Sequence, residues 1–404
     1  MKTTFKAISL MSALAFAGVT SAYAQEAAAP ADAAAAPAAP AAPVLSPSMA
    51  GLAANANPYS VDLSAMPVLG ELFGKTYVTG AVSGLAEYTS HHGPGDHATL
   101  GDLSNAQVFI QKVDGVFQYY IQAGVYSFPW LGSINPSYTK AIPTTNANFG
   151  PLPVAYGKFV LGNFSVQAGK LPTLIGNEYN FTIQNMNIQR GLLWGQEPAV
   201  STGVQVNYTM GPLALSAALT DGLYSGRWNT LSGAAIWTID SSNILAVSAS
   251  TALSTYYKNS GATFVLQNNQ DIYNVIYTFT SGPLVISPYV QYQHVPALPG
   301  IGVTKATSVW GAALLAKYAL DSNFSIAGRF EYMDENGNAT SGSSDPLGYG
   351  PGSHAWTATL TPTYQYNVFF LRGDISYVRA SSKVYGTTPS NDQFRLVAET
   401  GIVF

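Results

Sequence analysis

The sequence lacks cysteine altogether and contains little charge. None of its 404 residues is Cys, and only 9% are Asp, Glu, Lys or Arg. The absence of cysteine excludes disulfide bonds, thiol catalysis and a lipid anchor on an N-terminal cysteine. An ordinary soluble domain carries roughly 25% charged residues. Because this chain has far fewer, much of its surface is expected to face something other than water.

Long apolar runs and a basic excess are also missing. No uninterrupted apolar stretch of about 18 residues follows the first 24 positions, which argues against a helical membrane protein. The formal net charge is −4, so the chain has no electrostatic footprint for a nucleic-acid partner. Aromatic residues (12%) and glycines (38) are plentiful instead. This combination favours a β-barrel in lipid.

The N-terminus has the pattern of a secretory signal. Lys2 and Lys6 form a basic start, Ala7–Val19 is an apolar run, and Ala22-Tyr23-Ala24 is a small-x-small cleavage site. We therefore expect residues 1–24 to be removed during export.

Residues 25–74 follow as a predicted periplasmic tether. From Gln25 to Pro43 the chain is almost entirely Ala and Pro, a composition that favours an extended spacer without a packed core. Asn57–Gly74 has room for a short helix after Ser60. We interpret this part as further linker, with a plug or docking element as the alternative.

From Lys75 to Phe404 the dominant pattern is apolar/polar alternation in segments of about ten residues, which is typical of transmembrane strands. Sixteen such segments occur. Seven short turns, such as Asp114-Gly115, alternate with eight longer polar loops, such as Phe128–Leu152 and Ser90–Ser104. The sequence therefore predicts an all-β fold: a transmembrane antiparallel β-barrel of about 16 strands in residues 75–404, with short periplasmic turns and long external loops.

The last predicted strand gives independent support for a barrel in lipid. One face of Phe394–Phe404 is apolar, while the other carries Arg395 and Glu399. The terminal Phe404 resembles the final aromatic residue that barrel insertion machinery reads in bacterial outer-membrane proteins. We therefore expect the bacterial outer membrane as the location, with its lipid and this machinery as partners.

The stretch between the fifth and sixth strands carries a narrower likeness. Its motif residues are Gly169-Lys170, Ile175-Gly176-Asn177-Glu178, Asn185–Asn187, Gln189-Arg190-Gly191-Leu192-Leu193-Trp194, Pro198 and Thr202-Gly203. In these residues the chain resembles the OmpL-like family of outer-membrane β-barrel porins, although Gln189 stands where the pattern has Ser. The resemblance implies an outer-membrane channel and no particular substrate. Likeness to porins of this size also implies a possible homotrimer.

Charged residues on the inner faces of the last strands are expected to meet near mid-height, because a charge facing lipid there would cost about 2–4 kcal/mol. Such a wall would form one side of a pore constriction that selects ions and polar solutes. The alternative is that the charges simply pair with one another across strands, for example Arg372 with Glu399. The wall residues are Arg329, Glu331, Arg372, Asp374, Arg395 and Glu399.

Lys170–Pro198 is the third external loop by this count. In general porins the third loop folds inward to narrow the pore. We predict the same here, with Glu178 or Arg190 exposed at the constriction and Phe181, Leu192, Leu193 and Trp194 packed against the inner wall. A loop that lies flat over the mouth is the alternative.

The favoured function is a passive diffusion channel for small hydrophilic solutes and ions, with no catalytic residues, metal or cofactor. One alternative is a structural or adhesion barrel that displays its loops and has a plugged lumen. A less favoured one is an outer-membrane hydrolase. The histidines of HHGPGDH, namely His91, His92 and His97, could bind a metal but fit a solvated loop tip better.

Tyr and Trp residues recur near the predicted strand ends, and we assign them to the aromatic belts at the two membrane interfaces. Tyr126, Trp130, Trp237 and Trp356 are among them. Contact with a carbohydrate inside the pore is the alternative for a few.

Overall fold

The computed structural model describes residues 52, 58–133, 139–223, 225–257 and 265–404. The predicted signal peptide and the Ala/Pro tract lie outside this part of the chain. Within it, no helix is both long enough and apolar enough to cross a membrane. The α-helices of this part of the chain are α1 (Leu69–Phe73) and α2 (Ala141–Ala147). The strands are β1 (Tyr59–Asp62), β2 (Lys75–Thr89), β3 (Thr99–Lys112), β4 (Phe117–Tyr126), β5 (Val154–Leu161), β6 (Phe164–Pro172), β7 (Val200–Met210), β8 (Leu213–Thr220), β9 (Thr230–Thr238), β10 (Asn243–Ala252), β11 (Asp271–Ser281), β12 (Leu284–Val295), β13 (Thr307–Ala319), β14 (Phe324–Glu335), β15 (His354–Tyr366), β16 (Phe369–Ala380) and β17 (Asp392–Val403).

Strands β2 to β17 form a closed antiparallel barrel of sixteen strands, as predicted. Each strand pairs with the next along the chain, and β17 pairs with β2 from Arg395↔Thr89 to Val403↔Ala81. Closure leaves no exposed sheet edge, which a sheet in lipid requires. The prediction was wrong in one detail, because Ser90–Ser104 is not all loop and β3 already begins at Thr99.

The connections alternate in length around the barrel. One end of the barrel carries seven short turns, the start of β2 and the end of β17, while the other end carries eight longer loops. We number these loops in chain order: L1 (90–98), L2 (127–153), L3 (173–199), L4 (221–229), L5 (253–270), L6 (296–306), L7 (336–353) and L8 (381–391). The predicted division into short periplasmic turns and long external loops matches this arrangement.

Alternation along each strand separates a lipid-facing surface from the lumen. On β16, Leu371 and Ile375 are 53% and 49% exposed, whereas Arg372 and Asp374 between them are buried. Ile375 lies in register with Leu360 of β15 on one side. Outward residues therefore form a continuous apolar surface, and inward residues a polar one.

The chain before the barrel also contacts it. Strand β1 pairs with the start of β2, from Tyr59↔Val78 to Asp62↔Lys75. At the end of α1, the ring of Phe73 meets that of Tyr119 edge-on, with centroids 6.1 Å apart. Leu52 is buried in the same apolar cluster as inward-facing residues of β3, β4, β16 and β17. Part of the segment that we assigned to the tether thus lies against the barrel.

L3 folds into the lumen, as the sequence analysis predicted. Phe181, Leu192 and Leu193 are at most 3% exposed. They share two apolar clusters with inward-facing wall residues, including Phe109 and Met333. The core of this protein therefore lies between L3 and the barrel wall.

Candidate functional site

The predicted charged residues of the last strands do form one surface. We call the inward side chains Arg329 and Glu331 (β14), Arg372 and Asp374 (β16), and Arg395 and Glu399 (β17) the charged wall. Their strands pair in register, so that Arg372 lies opposite Glu399. Each is at most 2% exposed, because L3 covers the wall.

Arg372 and Glu399 form the cross-strand ion pair that we considered as the alternative to a constriction. Arg372 Nε and Nη2 donate to Glu399 Oε2 over 2.9 and 2.6 Å. The other carboxylate oxygen, Oε1, accepts from Thr182 Oγ1 in L3 at 2.6 Å and from Asn105 Nδ2 on β3 at 3.3 Å. One carboxylate therefore joins the wall to L3 and to the neighbouring arc of the barrel.

A second ion cluster lies on β14. Arg329 Nη1 contacts Glu178 of L3 and donates to the Gln189 carbonyl over 2.7 Å. Its Nε lies 3.2 Å from Glu331 Oε2. Arg329 is thus held between a carboxylate of the wall and one of the loop, and burial of such a charge is tolerable only when it is paired in this way.

Carboxylates of the wall also satisfy the backbone of L3. Asp374 accepts from the amides of Ile188 and Gln189 over 3.1 and 2.8 Å. Glu331 accepts from those of Leu192 and Leu193 over 2.9 and 3.2 Å. An irregular segment inside a barrel cannot leave its amides unpaired, so these two carboxylates supply the partners that regular secondary structure would otherwise give.

Two glycines of the sequence motif permit this close packing. A Cβ at Gly191 would lie 2.1 Å from Glu331 Oε2, so only glycine lets the carboxylate reach the following amides. Gly176 has φ +92°, and a Cβ there would lie 1.7 Å from Glu197 Oε2. Gly191 thus lets L3 lie against the wall, and Gly176 lets L3 fold against its own Glu197.

The prediction that Glu178 or Arg190 is exposed was wrong. Glu178 is 4% exposed and Arg190 is fully buried. Burial raises the pKa of Glu178, while Arg329 opposes that shift. Arg190 lies under L2: its amide donates to the Pro129 carbonyl over 3.0 Å, and its carbonyl accepts from Leu131 N at 2.9 Å. Sequence alone could not reveal this cover, because L2 precedes L3 by a whole hairpin.

Arg190 is incompletely paired. Its Nη2 donates to the carbonyls of Ile188 and Pro129 over 2.8 and 3.2 Å. Its Nε and Nη1 have no hydrogen-bond partner among the residues that the structure describes. The charge nevertheless lies close enough to Glu178 and Glu399 for electrostatic interaction.

The inner faces of β3, β4 and β7 are lined by neutral amides. We call Gln107 (β3), Gln122 (β4), Gln205 and Asn207 (β7) the amide wall. Gln122 Nε2 donates to Gln107 Oε1 over 2.6 Å, and Gln205 Nε2 to Asn207 Oδ1 over 2.6 Å. Each amide side chain carries both donors and an acceptor, so these side chains can satisfy one another along the barrel surface.

A cavity of about 410 Å³, which was not predicted from the sequence, lies at the loop end of the barrel. It is lined by parts of L2, L3, L4, L5 and L7 and by Gln293 near the end of β12. Trp130, which we had assigned to an aromatic belt, lines this cavity, and Tyr126, assigned likewise, is fully buried in the core. Trp237 remains 48% exposed on the outer surface, where a belt residue belongs.

The histidines of the first external loop do not form a metal cluster in the described part of the chain, where no group of three or more His, Cys, Asp or Glu residues could hold an ion. His91 Nδ1 instead lies 2.9 Å from the Asp392 carbonyl and 3.4 Å from its carboxylate. This contact joins L1 to the start of the last strand.

Comparison with solved structures supports the fold. The chain is similar to an OmpF of Salmonella typhi solved in complex with daunomycin, with a TM-score of 0.57, 10% identity, and coverage of 86% of this chain and 100% of the other. It is also similar to OmpT of Vibrio cholerae, with a TM-score of 0.54, 9% identity, and coverage of 82% and 98%. A trimer form of OmpT gives 0.53, 9%, 81% and 99%. No curated protein matches the sequence.

The family comparison covers the whole barrel. The model of the family described as "Putative beta-barrel porin-2, OmpL-like" matches residues 75–404. These bounds coincide with the first residue of β2 and the last residue of the chain. The motif in L3 that first suggested the likeness lies inside the matched region. This chain therefore belongs to the OmpL-like family of β-barrel porins.

Proposed function

We propose that the protein is a passive diffusion channel of the outer membrane for small hydrophilic solutes and ions. The observation that carries this proposal is the inward fold of L3 inside a closed barrel whose inner face is polar. A loop that crosses the lumen narrows the path, and polar walls keep that path hydrated.

In this proposal the charged wall sets the size of the constriction by holding L3. Arg329, Glu331, Asp374 and Glu399 contact L3 directly, whereas Glu178 and Arg190 act from within the loop. Because these groups are buried, they influence permeating ions mainly through their electric field and through the position of L3, not by touching solutes.

Conductance of the purified protein in planar lipid bilayers tests the proposal. Stable channels are expected, and Glu178→Gln with Arg190→Gln is expected to change conductance and ion selectivity because L3 loses two of its anchors. Gln205→Leu on the amide wall is the matched control, since it alters an inward side chain without touching L3. A native protein that never conducts would refute the channel function.

One observation favours a second candidate, a sealed barrel that displays its external loops. All six residues of the charged wall are nearly inaccessible to solvent, as a plugged lumen would require. A sealed barrel predicts that the native protein does not conduct, and that a variant lacking residues 177–196 does. A channel predicts conductance from both, larger in the variant.

Export and assembly follow from the same proposal. Removal of residues 1–24 would deliver the chain to the periplasm, and Phe404 would present it to the insertion machinery. Phe404 already extends the barrel seam, because its amide and carbonyl pair with Gly80 over 2.9 and 2.7 Å. A homotrimer is proposed by analogy with the trimer form of OmpT. Native mass spectrometry in detergent measures it.

A further inference from the structure

The cavity at the loop end has the size and position of a solute-binding site. Its volume of about 410 Å³ lies within the roughly 300–1,000 Å³ range of small-molecule pockets. Residues 194–197 of L3 form part of its surface. A solute in this cavity would therefore rest directly on the loop that crosses the lumen.

One side of the cavity is aromatic. The Phe128 ring lies 5.7 Å from that of Phe149 and 5.9 Å from that of Trp194, and Trp194 meets Trp130 edge-on at 6.1 Å. These contacts fix the orientation of the rings before any ligand arrives. Flat apolar faces of this kind suit a ligand that has an apolar face of its own and a polar edge.

The same cavity is lined by two residues with unpaired polar atoms. Trp130 Nε1 is a donor and Gln293 Oε1 an acceptor, and neither has a hydrogen-bond partner among the described residues. Gln293 uses its amide group toward Gln270, which leaves the oxygen free. Buried polar atoms normally have partners. Both atoms have almost no accessible surface, so a small local shift must uncover them before one ligand hydroxyl can accept from the indole and another can donate to the amide oxygen.

Fixed charge in the cavity is acidic. Glu197 and Asp345 are the two ionisable residues among the described lining residues, which include no Lys or Arg. Both Asp345 oxygens already accept from backbone amides, those of Gly348 and Gly350, at 2.8 Å. Burial raises the pKa of Glu197 to about 8, so it is mostly protonated at neutral pH. An anion would find no counter-charge among these described lining residues.

We propose that this cavity binds an uncharged sugar, a mono- or disaccharide, on the external side of L3. The aromatic rings contact the apolar face of the sugar ring, and Trp130 and Gln293 bond its hydroxyls. This site assigns a class of solute to the proposed channel, so its biological role rests on the channel function. Binding itself does not require conductance.

Titration of the detergent-folded full chain with maltose, glucose and glucuronate tests the site, with tryptophan fluorescence and calorimetry as readouts. We expect saturable binding of maltose or glucose and at least about tenfold weaker binding of glucuronate. Trp130→Phe keeps an aromatic ring but removes the donor, and Gln293→Met keeps the length but removes the acceptor. Each should weaken sugar binding about tenfold. Trp310→Phe is the matched control, because Trp310 is 59% exposed on the lipid-facing surface.

The outcomes separate this inference from the channel proposal. No saturable sugar binding, or equal binding of glucuronate, would overturn the sugar site even if the protein conducts. Unchanged affinity in both cavity variants, provided that they keep the native heat-modifiable migration, would overturn it as well. Sugar binding by a protein that never conducts would leave the site standing and refute the channel.

Discussion

The charged wall and the amide wall line the same barrel, yet they use their polar groups differently. On the amide wall, Gln107 bonds Gln122 and Gln205 bonds Asn207, so the side chains satisfy one another within the barrel surface. On the charged wall, Glu331 and Asp374 bond the backbone of L3. One wall is complete without a loop, while the other requires one.

The difference follows from the chemistry of the groups. An amide carries donors and acceptors together and can find both kinds of partner in a neighbouring amide. A carboxylate only accepts, and an arginine only donates. Charged side chains on adjacent strands can pair with one another in part, but their remaining hydrogen-bond donors and acceptors need other partners. In this protein the backbone of L3 provides those partners, and the loop is therefore fixed to the charged side of the barrel.

The largest expected effect comes from Glu331→Gln, which preserves shape but removes a charge from the wall. Arg329 would lose one of its two carboxylates, and the amides of Leu192 and Leu193 would face a weaker acceptor. We expect a loss of about 3 kcal/mol in the free energy of unfolding, measured by urea titration in lipid vesicles. Faster protease cleavage within L3 should accompany it. A stable variant with L3 still protected would show that the wall does not hold the loop.

A change of one pH unit should produce the next largest effect, through Glu197. Burial raises its pKa from the usual 4.5 to about 8 in the folded protein. Between these values the unfolded chain has released the proton and the folded chain retains it, so the free energy of unfolding falls as pH rises. The slope from this group is at most about 1.4 kcal/mol per pH unit.

Glu197→Gln should flatten this pH dependence without abolishing it, because the pKa of Glu178 is also raised by burial. Urea titrations at pH 5, 6, 7 and 8 measure the slope in both proteins. Identical slopes would mean that Glu197 is ionised in the folded state, and that its contact with Tyr289 is an ionic hydrogen bond.

The smallest effect is expected on the amide wall. Gln205→Leu removes the bond to Asn207, whose Oδ1 still accepts from Ser216 at 2.8 Å. The expected loss is about 1 kcal/mol, with no change in protease cleavage of L3. If this variant released L3 as Glu331→Gln does, the contrast between the two walls would be invalid.

Most of the barrel could be predicted from the sequence because strand alternation and turn chemistry are local signals. Apart from β3, which begins inside a predicted loop, the strands begin and end close to their predicted positions. The inward orientation of Arg372 or Glu399 follows from a two-residue period. The inward fold of L3 was predicted by its position in the loop order. The burial of Arg190 was not, since it depends on contact with Pro129 and Leu131 of another loop.

The sequence by itself determined the closed barrel, its apolar outer surface and the identity of the charges inside it. The two-residue alternation and the short turns are each set by a few neighbouring residues, so they do not depend on distant parts of the chain. Only the tertiary structure decided which groups those charges meet, because partners such as Glu331 and Leu192 come from segments far apart in sequence. It also decided that L2, L3, L4, L5 and L7 enclose one aromatic cavity, since loops without a repeating pattern take their shape from their neighbours.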